Sequence, residues 1–215
     1  MSTTRASSDG ERRLWFVRHG ETEGQSSIRY HGSNDVALSD EGRAQIRAVV
    51  PLLEGASFQR IVHSPLIRAA ESARILCDGL GLSEQLLEAE PRLREISFGA
   101  CEGLTREEIE ARYPSFFADY EAGRLGSFPD GEPRAAFAAR VLEAARELAA
   151  ADGGDLLIVV HRGIIKYALL ALLGLEDRDA SSASAFAVDL GSLTVLREDA
   201  DAAAGWQVEL LGMRV

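Results

Sequence analysis

The chain is predicted to be an α/β protein, a three-layer sandwich with a mostly parallel central sheet and helices on both faces. Two observations lead there. Short apolar runs of strand type alternate with longer segments of helical pattern, and such alternation buries each strand between helices. In addition, three of those runs end on groups that are costly to bury: Val17 leads into Arg18 and His19, Val62 into His63 and Ser64, and Val160 into His161. Ligands of α/β sheets gather outside the carboxyl ends of the strands, so the pattern that implies the fold also marks a candidate site. No internal repeat or linker is visible, and residues 13–215 are read as one domain behind a polar, flexible tail over 1–12.

The elements follow in order. Leu14–Val17 is a fully apolar strand. Ser39 caps a helix with early acids that is expected to run on to a stop at Gly55. "FQRIVH", from Phe58, is a second strand, and Pro65 suits the first turn of an Ala-rich helix over about Leu66–Leu80. "LLEAEPRLREI" reads as short extended pieces broken by Pro91. Thr105 and Glu108 form a capping box for a short helix toward Tyr113, and another spans Pro114–Gly123. These two make a small helical cap near 105–134. A long helix runs from Arg134 to Ala151, "DLLIVV" is the most buried strand, and a helix follows over Gly163–Leu173. "AFAVDLGSLTVLRED" and "GWQVELL" suggest three closing strands, the first two joined by a turn at Leu190–Gly191.

Composition narrows the class of partner. A net charge of -11 over 215 residues repels nucleic acid and anionic membrane, so neither is expected. Cys77 and Cys101 stand far apart with no metal-ligand spacing, which fits a reduced, cytoplasmic protein with no metal. The N-terminus has no apolar core of signal-peptide length, and the richest apolar run, "YALLALLGL", is too short to span a bilayer. The closing strands could pair across a homodimer.

Four blocks carry the chemistry: "RHGET" at 18–22, "SPLIRAAESA" at 64–73, "REISFGACEG" at 94–103 and "VVHRG" at 159–163. In this order they resemble the histidine phosphatase superfamily, also called the phosphoglycerate-mutase-like family, from about Leu14 to the last strand. The resemblance implies phosphoryl transfer without a cofactor. His19 would attack phosphorus and become a phosphohistidine. Arg18 and Arg68 would bind the phosphate oxygens, with His161 doing so from the far side. Glu95 would donate the proton, with Glu102 as a rival carboxylate. Gly163 continues the phosphate-binding block, and Arg162 either adds a positive contact to substrate or faces solvent. Two departures stand out beside Arg162. Gln25 replaces an asparagine that usually touches the transferring phosphate, which is expected to alter substrate fit. "GEP" at 131–133 replaces "GES" and removes a hydroxyl.

These residue types suit the chemistry. Phosphoryl transfer depends on in-line positioning and on stabilising the equatorial oxygens, work for which guanidinium forks are well shaped. An imidazole attacks only when neutral, so a partner must hold its far nitrogen; a backbone carbonyl near Gly20 is the expected one. Glu95 must keep its proton until the ester oxygen needs it, and a nearby phosphate dianion favours that state. His31 and His63 read as structural, Glu21 as a brace for its loop, and Phe116, Phe117 and Tyr120 as packing aromatics before pocket residues. The short stretch between "FGACEG" and "PDGE" carries no basic run to enclose the site, and an open site favours hydrolysis. The expected function is a metal-independent phosphomonoesterase of histidine acid phosphatase type, acting on a small phosphorylated metabolite. The alternatives are a 2,3-bisphosphoglycerate-dependent mutase, a protein phosphohistidine phosphatase and a non-catalytic phosphate-binding module.

Overall fold

A computed structural model describes residues 11–176 and 186–215. Six strands, β1 (Arg13–Arg18), β2 (Phe58–His63), β3 (Leu87–Ala89), β4 (Asp155–Val160), β5 (Leu193–Glu198) and β6 (Trp206–Met213), form one sheet in the order β3-β2-β4-β1-β5-β6. The first four strands in that order run parallel, and β5 and β6 are antiparallel additions on the β1 side. The helices are α1 (Asp40–Val49), α2 (Ile67–Gly79), α3 (Arg106–Arg112), α4 (Phe116–Glu121), α5 (Arg134–Ala150) and α6 (Arg162–Leu172). The mostly parallel α/β sheet is the one predicted.

The apolar runs are explained by burial on two faces. In β4, Leu156, Ile158 and Val160 pack with Leu14 and Phe16 against Phe137 and Val141 of α5 and Ile164 and Ile165 of α6. Leu157 and Val159 face the other way, with Val17, onto Ile46 of α1 and Leu76 of α2. A central parallel strand covered on both sides has no reason to alternate, and "DLLIVV" does not. Asp155 starts that strand by accepting from the Arg13 amide and the Trp15 indole Nε1. A third cluster joins Phe116, Phe117 and Phe128 to Cys101 and Ile109, binding α3 and α4 to the loop after β3. Both cysteines are buried and free. Among the described residues no helix is long and apolar enough to cross a membrane.

Several boundaries differ from expectation. Residues 1–10 of the predicted tail lie outside the described residues, but Arg12 is anchored: its guanidinium donates to the carbonyls of Leu148, Ala149 and Gly154, at 2.6 to 3.1 Å. The α1 helix stops at Val49 and tightens into a 3-10 turn over Val50–Leu53 rather than running to Gly55, because Pro51 has no amide hydrogen to continue it. Pro65 lies ahead of α2, whose first amide, Ile67 N, donates to Asp35 Oδ1 from a distant loop. The capping box of α3 is present as predicted. Of the three closing strands two form; Phe186–Leu190 is no strand, and Ala185 lies outside the described residues. Part of that segment has another task, since the Val188 carbonyl accepts from Arg18 Nη1 at 2.8 Å.

Candidate active site

Parallel neighbours β2, β4 and β1 deliver their ends to one edge of the sheet. In register, His63 lies opposite Val159 and Arg18 opposite Val160, so His63–Ser64, His161 and Arg18–His19 emerge side by side. The turn after β1 then lies directly on the start of α1. A Cβ at Gly20 would fall 2.3 Å from the Gly42 carbonyl oxygen, and one at Gly42 only 2.0 Å from that of Glu21. Only a pair of glycines permits that approach. Glu21 braces the loop, its carboxylate accepting from the amides of Thr22 and Ser27.

His19 is buried, with Nδ1 2.7 Å from the Gly20 carbonyl. A carbonyl oxygen only accepts, so the ring proton sits on Nδ1 and Nε2 presents its lone pair. Arg68 Nε donates to that Nε2 at 3.3 Å. Burial, reinforced by the Arg68 and Arg18 guanidiniums, pushes the imidazole pKa well below its ordinary value. The side chain is therefore neutral at neutral pH and carries a lone pair on the cavity side. Arg68 is itself buried, and its terminal nitrogens donate to the carbonyls of Asn34 and Gly32, both at 2.7 Å. Its fork is fixed by backbone before any ligand arrives, with N–H groups to spare.

His161 packs edge-to-face on His19, ring centroids 5.0 Å apart. Its Nε2 is 2.7 Å from Ser64 Oγ, which also accepts from the Leu66 amide. Burial and the Arg68 guanidinium push its pKa well down. Two buried nitrogens beside His19, His161 Nδ1 and Arg18 Nε, have no partner among the described residues. Such groups cost about 1–3 kcal/mol each when left unmade. An oxyanion at His19 is a natural acceptor for both.

The cavity has a volume of about 430 Å³. Arg18, His19, Arg68, Glu95, Arg162 and Gly163 all line it; His161, in ring contact with His19, is not among the lining residues. Glu95 rests on the start of α6, its Oε2 accepting from the Gly163 amide at 3.0 Å and its Oε1 from Ile96 N. The Gly163 amide is thus committed to Glu95, and a Cβ there would come within 2.4 Å of Oε1. Glu102, the rival acid, is held through one oxygen: Oε1 takes bonds from Ser33 N, Ser33 Oγ, Ser97 Oγ and Phe98 N at 2.8 to 3.2 Å. It ties loops together outside the cavity. Gln25 departs from expectation too. It is exposed, sits at φ 62 and is absent from the lining, which Ser26 and Ser27 supply instead. That left-handed backbone suits asparagine better than glutamine.

Four residues that line or support the site were not assigned from the sequence. Ser64 needs β2 beside β4 before its contact exists. His31 forms part of the wall, its Nε2 2.6 Å from the Gly24 carbonyl. Arg106 reaches the cavity from α3. Lys166 is buried in α6 and lines the same cavity; burial, with Arg162 and Arg18 nearby, lowers its pKa to about 8. Nothing in a helical lysine among apolar residues announces this.

The buried neutral imidazoles set an acid limit on stability. Unfolded, His19 and His161 bind protons as pH falls through about 6.5; folded, they resist until well below that value. The unfolded chain thus holds more protons below 6.5, and stability falls with pH by about 1.4 kcal/mol per unit for each imidazole. His31, also lowered, adds in the same direction. Urea unfolding at pH 7 and pH 5 is expected to show a clear drop in midpoint. Equal midpoints would contradict neutral burial of the pair.

Known proteins share this arrangement of elements. A family model described as histidine phosphatase superfamily (branch 1) matches residues 14–212. An adenosylcobalamin/alpha-ribazole phosphatase of Salmonella typhimurium is 34% identical over 168 residues, covering 75% of this chain and 79% of that protein. A glucosyl-3-phosphoglycerate phosphatase of Mycolicibacterium vanbaalenii is 34% identical over 172 residues, 76% of this chain and 75% of its own. The solved structure of a mycobacterial glucosyl-3-phosphoglycerate phosphatase in complex with VO3 superposes with a TM-score of 0.80. It is 30% identical and covers 94% of this chain and 99% of that one.

Proposed function

The chain belongs to the histidine phosphatase superfamily, branch 1, and on that premise we propose that it is a phosphomonoesterase that hydrolyses a small phosphorylated metabolite through a phosphohistidine on His19. The observation that carries the reading is the neutral, buried His19, its proton fixed on Nδ1 by Gly20 and its Nε2 at a cavity shared with Arg18, Arg68 and Glu95. Both relatives above are named as phosphatases.

In the first step the His19 Nε2 lone pair forms the N–P bond as the ester P–O bond breaks, and the departing oxygen takes the proton of Glu95. In the second, the Glu95 carboxylate takes a proton from water, whose oxygen bonds to phosphorus while the N–P bond breaks. Phosphate leaves, and His19 and Glu95 return to their starting states. Arg18 Nε and the spare N–H groups of Arg68 bind the equatorial oxygens. With Ser64 donating to its Nε2, His161 carries its proton on Nδ1 and gives that N–H to the same oxyanion. Arg162 supplies positive charge at the mouth, and α3 and α4 act as a cap within one catalytic domain. Preorganised donors of this kind are where most of the rate enhancement comes from in phosphoryl transfer.

The test is a panel of phosphorylated metabolites assayed with chelator present, following free phosphate and product alcohol together. Equal release of the two, undiminished by chelation, is the expected result. Isomerisation of a phosphoglycerate faster than its hydrolysis would move the protein to the mutase alternative.

A further inference from the structure

Beside the phosphate cavity lies a second cavity of about 270 Å³ whose walls are mostly aromatic, with Tyr30, Phe98, Phe117, Tyr120, Phe128 and Tyr167 among them. Part of this aromatic surface is simply the packing that fastens α3 and α4 to the body: Phe117 and Phe128 are buried in that cluster. Tyr30, Phe98, Tyr120 and Tyr167 are different, since each is only half-buried and turns part of its ring to the cavity. Tyr30, Phe98 and Gly163 border both cavities, so the two adjoin.

Their shared border lies beside the proton donor. From the position of a Cβ on Gly163, Glu95 Oε1 lies at 2.4 Å and Phe137 Cζ, in the aromatic wall, at 3.1 Å. An ester oxygen that receives the Glu95 proton must sit beside this glycine. The carbon it carries then points away from phosphorus and toward the aromatic cavity. Two guanidiniums cover rings at its edge, Arg134 3.8 Å from the Tyr120 centroid and Arg106 4.0 Å from that of Phe117. A flat ring presents faces and edges to the offset and edge-to-face partners that aromatic walls provide.

We propose that this second cavity binds the alcohol half of the substrate, and that this half carries a planar aromatic or heteroaromatic ring a short link from the ester oxygen. The assignment rests on the phosphomonoesterase reading and narrows its substrate class.

The test compares three phosphate esters of primary alcohols, in which intrinsic leaving ability is nearly constant: 2-phenylethyl, 2-cyclohexylethyl and ethyl phosphate. For the parent protein, kcat/KM for the phenyl ester is expected to exceed that for the ethyl ester by at least about tenfold, mostly through KM. The cyclohexyl ester is expected to fall several-fold below the phenyl one. Tyr120→Ala should shrink the phenyl-to-ethyl ratio toward unity, and Tyr120→Phe should keep it. Equal efficiency for phenyl and ethyl, or for phenyl and cyclohexyl, overturns the assignment and leaves the phosphatase intact. Hydrolysis of none of the three removes the phosphatase reading itself. Should Tyr120→Ala fail to fold, the comparison in the parent protein decides alone.

Discussion

Replacing His19 with alanine is expected to lower turnover by about five orders of magnitude or more while inorganic phosphate still binds. The size of the loss follows from the role. Nε2 is the atom that bonds to phosphorus, and the other imidazole on the cavity wall, His31, has its Nε2 engaged by the Gly24 carbonyl. Phosphate binding should survive because the anion contacts are built independently of this ring. The Arg68 fork hangs on the carbonyls of Gly32 and Asn34, Arg18 is held by Val188, and His161 is held by Ser64. Arg68 Nε loses its acceptor, and a bound phosphate oxygen can replace it. Steady-state kinetics and calorimetric titration with phosphate read the two halves separately. Rapid denaturing quench of the parent in alkali should also trap an acid-labile, alkali-stable phosphoenzyme that the variant lacks. Turnover within tenfold of the parent would remove the covalent route.

What could be read from the sequence, and what could not, divides along physical lines. Strand ends were legible because burial is a local cost: an apolar run such as Leu14–Val17 that halts on Arg18 and His19 needs a reason wherever the chain goes next. The central place of β4 was legible too, since "DLLIVV" has no polar side to offer solvent. Contacts between distant segments were not. Ser64 and His161 are 97 residues apart and meet only because β2 and β4 are neighbours. Asp35 at the start of α2, and the carbonyls that hold Arg68, come from one irregular loop whose path leaves no periodic signal. The choice between Glu95 and Glu102 had the same character. Both are carboxylates near glycines, and only the folded loops show that Glu95 lines the cavity while Glu102 has one oxygen tied to amides and hydroxyls outside it. Phe186–Leu190 misled because its alternation fits a strand, yet the Val188 carbonyl is needed by Arg18 rather than by a ladder.

A Glu95→Gln variant should separate the two halves of the reaction by leaving group. The amide oxygen can still accept from the Gly163 N–H at the start of α6, while the NH2 group replaces the oxygen that faced Ile96 N. The fold is expected to survive the loss of that one bond, but the side chain has no acidic proton to give. For alkyl phosphates, whose alkoxide cannot leave unprotonated, formation of the phosphohistidine is expected to slow by about 10²–10⁴. For p-nitrophenyl phosphate the departing phenolate needs no proton, and the first step should stay close to the parental rate. The second step then becomes the bottleneck, because the water that attacks the phosphohistidine has lost its base. The variant should therefore release one equivalent of nitrophenolate per site in a burst, followed by a slow steady rate, and phosphoenzyme should accumulate. Alkyl esters should show no burst. An equal loss in the first step for both esters would take the proton away from Glu95 and point instead to Lys166, buried on the cavity wall with its pKa lowered to about 8 by burial and the nearby Arg162 and Arg18.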